Sequence, residues 1–103
     1  MSTEPVIEDN PAANRFEVRV GGELAGFAEY KLRDGQISLL HTEVGEQFSG
    51  QGVAGALVRG ALDEARRREL AVLPFCPFVR GWIAKHPDHV DLVPADRRPE
   101  FEL

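Results

Sequence analysis

Charged and apolar residues alternate with period two over Arg15-Phe16-Glu17-Val18-Arg19-Val20, the mark of a strand with one wet face. Gly21-Gly22 supplies a tight hairpin turn, residues 23–33 continue as a second strand, and Asp34-Gly35 makes a second turn that calls for positive φ. A third strand over 36–44 completes an antiparallel meander. The period then changes. Ala54, Leu57, Val58, Ala61, Leu62 and Ala65 recur every three or four positions, which predicts a helix opening at about Val53 and docking one face on the sheet. Residues 70–76 are nearly all apolar, as expected of a parallel strand covered on both sides, and the intervening helix implies a right-handed crossover beside the strand ending at Val44. Pro74 cannot donate to a ladder, so pairing should part there. Pro77 suits the first position of a short helix with Phe78, Val79, Trp82 and Ile83 on its apolar face, ending before Pro87; residues 88–93 read as a short final strand. The expected class is α/β (α+β), an antiparallel meander followed by a strand-helix-strand crossover, with a mixed sheet and two main helices.

The 103 residues allow one small domain with a single core, placed at 14–93 between a flexible lead-in over 1–13 and a loose tail over 94–103. A formal net charge of −5 argues against nucleic acid as a partner, because a binder needs a basic face. The one basic run, Arg66-Arg67-Arg68, complements the negative end of the helix dipole. No apolar run approaches the roughly 18 residues of a membrane span, and the first residues carry neither a basic nor an apolar leader segment, so a cytoplasmic monomer away from the membrane is expected. The single cysteine, Cys76, excludes internal disulfides and all-cysteine metal sites, and no metal is expected.

The chain's chemistry centres on the stretch 41–55, a strand end, a glycine-rich loop and a helix start. Gly50 and Gly52 remove side chains where the backbone turns sharply, and the helix leaves its first N–H groups unpaired and aimed into the loop. Those donors and the positive helix end suit a phosphate or pyrophosphate. A Walker loop is excluded, since no Gly-Lys-Ser/Thr follows. Gly50-Gln51-Gly52-Val53-Ala54-Gly55 matches the dinucleotide pattern literally, but residues 70–76 lack the acidic residue that would hold the ribose hydroxyls. Gln47-Phe48-Ser49-Gly50-Gln51-Gly52 instead resembles the pyrophosphate loop, Q/R-x-x-G-x-G/A, of the GNAT superfamily of acyl-CoA-dependent N-acetyltransferases.

The resemblance covers residues 14–93 and tightens over His41-Thr42-Glu43-Val44, Gly50-Gln51-Gly52-Val53-Ala54, Cys76-Pro77-Phe78-Val79, Trp82-Ile83 and His86-Pro87, which together look like the small GNAT-like acetyltransferases of about this length. It implies a GNAT-like sheet, acetyl-CoA as acyl donor, an amine acceptor, and coenzyme A held by Val44, Gln47, Phe48, Ser49, Gly50, Gln51, Gly52, Val53 and Ala54. Arg80 and Lys85 are further contacts to weigh for its distal phosphate. Two departures stand out. The helices that ordinary members insert between their first strands are replaced by Gly21-Gly22, and the usual helix tyrosine is absent, the one tyrosine being Tyr30. The implied function is acetyl-CoA-dependent transfer to a protein amine or polyamine; the alternative is an acyl-CoA-binding or regulatory module with little transfer.

Three titratable residues are the catalytic candidates. His41 and Glu43 share a strand face and would take the proton that an amine must lose before attacking a thioester. Cys76 lies just before a helix start fixed by Pro77, where unpaired N–H groups favour a thiolate, and an imidazole within reach would favour it further. It is expected to act either as a nucleophile or as a proton-handling group.

Overall fold

The computed structural model describes residues 4–103, so residues 1–3 of the expected lead-in lie outside it. Five strands, β1 (Val6–Asn10), β2 (Arg15–Val20), β3 (Glu23–Arg33), β4 (Gln36–Val44) and β5 (Ala71–Pro74), form one sheet in that order. The first four pair antiparallel and β5 joins β4 in parallel after the crossover helix α1 (Val53–Arg67). A second helix, α2 (Pro77–Lys85), follows β5. None of the described helices is long and apolar enough to cross a membrane.

Five of the six positions the helix periodicity picked out, Leu57, Val58, Ala61, Leu62 and Ala65, are buried, while Ala54 is only partly so and Val53 is buried in its place; they join Phe16, Val18, Tyr30, Ile37, Leu39 and Val72 of the sheet in one core. Each buried Val, Leu and Ile among them contributes about 1.5–3 kcal/mol through removal from water.

Three expectations are corrected. Residues 6–10 are not a lead-in but edge strand β1, because Ile7 packs on α1 and Asp9 accepts from Tyr30 Oη at 2.5 Å and from Arg68 Nη2 at 2.7 Å. Burial, with the neighbouring Asp9 carboxylate, pushes the Tyr30 hydroxyl up to about 12, so it stays protonated and bonded. The expected final strand is instead a 3-10 segment, Pro87–Leu92. Residues 94–103 are anchored rather than loose: Phe101 is buried edge-on against Phe75, with ring centroids 5.2 Å apart, and Arg98 donates to the Val93 carbonyl at 2.9 Å.

A bulge in β4 sets the orientation of everything beyond it. Tyr30 pairs with Leu39 but Glu29 with His41, leaving Leu40 as the extra residue. Strict alternation from the buried Ile37 and Leu39 would aim His41 and Glu43 into the core. The inserted residue reverses the phase, so Thr42 and Val44 take the core side while His41 and Glu43 face solvent.

Gly60 in mid-α1 is explained by β1. A Cβ there would stand 2.9 Å from Cβ, Cγ1 and Cγ2 of Ile7, atoms held close to the β1 backbone. Helix propensity alone favours alanine by about 1 kcal/mol, but overpacking costs about 1–3 kcal/mol. Gly60→Ala should therefore melt lower than the wild type, whereas Gly81→Ala in α2, where a Cβ meets nothing within 4 Å, should melt no lower. Thermal unfolding of the two variants checks this, and a melting point for Gly60→Ala at or above that of the wild type would show that β1 yields freely.

Candidate functional site

The loop between β4 and α1 is built around two left-handed glycines. Gly50 has φ 79° and Gly52 φ 73°, and a side chain at either would point into open space rather than into protein. Gly52 is the N-cap of α1 and offers no side chain to the helix; its carbonyl takes the first helical bond, from Ala56 N at 3.0 Å. The N–H groups of the first turn, at Val53, Ala54 and Gly55, consequently have no intrahelical acceptor. They are donors awaiting an anion. Gln51 turns its side chain back to donate to the Gln47 carbonyl at 3.1 Å, bracing the loop from within.

A second set of free backbone groups lies beside these. β5 pairs with β4 only from Gln36↔Ala71 to Leu39↔Pro74, and the last bond across is Cys76 N to Leu39 O at 2.9 Å. Beyond it β5 turns into α2, as Pro77 dictates, so among the described residues none pairs as a strand with residues 40–44 of β4 on that edge. Gly45 N donates to Ala25 O at 2.8 Å, toward β3. Alternation then aims the N–H of Val44 outward, along the open edge.

Edge and loop meet in one pocket of about 320 Å³, lined by Val44, Phe48, Ser49, Gly50, Gly52, Val53, Ala54, Gly55 and Phe78. Seven of the nine residues expected to hold a coenzyme line it; Gln47 and Gln51 do not, the latter being spent on the brace. Arg80 and Lys85 also stay outside its lining. The sequence reading missed Gly55 and Phe78. Gly55 sits where an added Cβ would make ordinary van der Waals contact with Trp82 Nε1, 3.6 Å away. Phe78 was expected on the apolar face of α2 but is 46% exposed, because Val79, Trp82 and Ile83 already fill that face. A large aromatic one position before a complete stripe is the signal that could have singled it out.

The three titratable candidates fall into two pairs. His41 Nε2 lies 3.0 Å from Glu43 Oε1 on the solvent face, with side chains 53% and 61% exposed. Cys76 is 4% exposed, and its Sγ donates to Thr42 Oγ1 at 3.5 Å. Thr42 is on the core side of β4, so the thiol and the imidazole lie on opposite sides of the strand. The imidazole expected within reach of Cys76 is paired with Glu43 instead. Among the described residues no three His, Cys, Asp or Glu side chains converge as metal ligands would.

The chain and its fold resemble known proteins. The family model of GCN5-related N-acetyl-transferase matches residues 15–92. A GCN5-like putative N-acetyltransferase from Staphylococcus aureus is similar in structure, with TM-score 0.66 and 23% identity over 86% of this chain and 87% of that one. A ribosomal-protein-alanine N-acetyltransferase from Brucella melitensis biovar Abortus 2308 gives TM-score 0.55 and 23% identity over 79% of this chain and 61% of that one. Ard1 from Thermoplasma volcanium gives TM-score 0.50 and 24% identity over 55% of this chain, which spans only 39% of Ard1. No curated protein matches the sequence.

Proposed function

With residues 15–92 fitting its family model, the chain belongs to the GCN5-related N-acetyltransferase family, and on that premise we propose that it moves the acetyl group of acetyl-CoA to a primary amine. The observation that carries this reading is the single pocket shared by the uncapped amides of α1 and the unpaired edge of β4. The pyrophosphate would accept from the loop and first-turn N–H groups, and the pantetheine amides would pair with the β4 edge at Val44 as a missing strand would. That path leads toward Leu39 and Cys76, where β5 diverges.

The proton chemistry follows from the two pairs. Nε2–H of His41 donates to Glu43, which leaves Nδ1 with the lone pair that takes the amine's proton. The neutral nitrogen then attacks the thioester carbonyl; a C–N bond forms, the C–S bond breaks, and coenzyme A leaves as a thiol after taking a proton from Cys76. The nitrogen's second proton passes to solvent as the amide forms, the cysteine recovers a proton from solvent, and His41 gives up its own. Separation of Cys76 from His41 across β4 supports direct transfer over an acetyl-cysteine intermediate. Incubation with acetyl-CoA alone should accordingly leave the intact mass unchanged, and an acetyl adduct lost in Cys76→Ala would establish the covalent route instead.

The donor site is tested by titration calorimetry with coenzyme A. Gly52→Ala places a methyl in the cradle and should weaken binding about tenfold, or ~1.4 kcal/mol. Gly35→Ala carries the same left-handed strain, at φ 76° in a hairpin outside the pocket, and should bind normally. Equal affinity in both folded variants would remove the cradle from the site, and a wild type that binds no coenzyme A would overturn the function.

A further inference from the structure

On the solvent face of the sheet a second depression, of about 480 Å³, adjoins the coenzyme pocket through Val44. It is lined by the side chains of Leu24, Phe27 and Glu43 and by the backbone around Gly26 and Gly45. A bulge shapes it: the register shift opposite Val18 and Arg19 inserts Ala25, which is buried, so the neighbouring Leu24 stays outside at 42% exposure. Its apolar walls end at a carboxylate. Glu43 holds His41, and Glu29 lies directly across the ladder from His41. One face of the Phe27 ring is already occupied by Arg15, whose Cζ is 4.6 Å from the centroid. The nearby Glu17 is likewise engaged, by Asn10, Arg15 and Arg19.

Resting on the proposed transfer reaction, we infer that this depression is the acceptor subsite and that Leu24 and Phe27 select an amine at the end of an aliphatic shank, the side chain of a lysine in an exposed polypeptide. The chemistry favours that acceptor over two others. A lysine has four methylenes to lay against Leu24 and Phe27 and one charge to present to Glu43. A polyamine would bring further charges onto the same apolar walls, whose lining holds no carboxylate besides Glu43, and an α-amine has no shank to fill them. With Gly21-Gly22 closing β2 to β3 by a turn, no helix stands between the depression and solvent, so a side chain on a protein surface can enter it.

The test uses the whole protein saturated with coenzyme A, followed by amide NMR during titration with a short lysine-containing peptide, with the same peptide Nε-acetylated, and with spermidine. Shifts at residues 24–27 and 42–45 that appear with the lysine peptide and not with its acetylated form support the inference. Shifts elsewhere, equal shifts with the acetylated peptide, or saturation by spermidine alone overturn it while leaving donor binding intact. A protein that fails to bind coenzyme A at all overturns the transfer reaction and this subsite together. In turnover, Leu24→Ser should raise KM for the peptide at least fivefold with KM for acetyl-CoA and kcat unchanged; an unchanged peptide KM would remove Leu24 from the subsite.

Discussion

His41→Ala is expected to lower kcat/KM by about 10²–10⁴, the range a positioned general base contributes. The reason is local. His41 and Glu43 are held together at 3.0 Å on the wet face of β4, more than half exposed, and His41 gives up only a tilted ring contact with Phe27, so the variant should fold and bind coenzyme A as the wild type does. A pH–rate profile separates base from bystander. The acid limb of kcat/KM should flatten in His41→Ala, because the variant has no imidazole at this position to act as the base. Glu43→Gln should keep that limb and lose less rate, since an amide oxygen still accepts from Nε2 but does not stabilise the imidazolium. A wild-type profile in His41→Ala would take the base role away from this residue.

Gly26→Ala should damage the site from behind. A Cβ on Gly26 would stand 2.4 Å from the carbonyl oxygen of Glu43, 2.9 Å from Cγ2 of Val44 and 3.0 Å from its Cα. Two of these atoms are backbone, so relief requires the end of β4 to move away from β3. That segment carries the proposed base, His41 with Glu43, on one face and the proposed coenzyme edge on the other. Stability should fall by about 1–3 kcal/mol, a drop of several degrees in melting temperature for a domain of this size. KM for acetyl-CoA should rise tenfold or more at a temperature where the variant is fully folded. A folded Gly26→Ala protein with unaltered coenzyme affinity would show that β4 can shift without disturbing the pocket.

Much of this was legible along the chain because it depends on neighbours in sequence. Period-two and period-three-to-four patterns fixed β2 and α1 through their own side chains, and Pro77 fixed the start of α2. The loop was legible for the same reason: positive φ at Gly50 and Gly52 and uncapped amides at Val53 and Ala54 are consequences of consecutive residues. What failed depended on contacts between distant ones. β1 has a weak pattern of its own, and it is ordered by Gly60, Tyr30 and Arg68, 21 to 59 positions from Asp9 in the two side-chain bonds. Phe101 holds the last segment by meeting Phe75, which no local rule announces.

The sequence by itself therefore determined the mixed sheet, the crossover helix and the glycine loop with its uncapped helix start, since each follows from local backbone preference and one-dimensional spacing. Tertiary structure alone decided which way the chemistry faces. Counting by twos from Ile37 would bury His41 and Glu43, and only the extra Leu40, accommodated where β4 twists against β3, turns them to solvent and gives Thr42 to Cys76. A bulge is a property of the pairing between strands, set by how the ladder and the core fit together, and a strand's own sequence carries no mark of it.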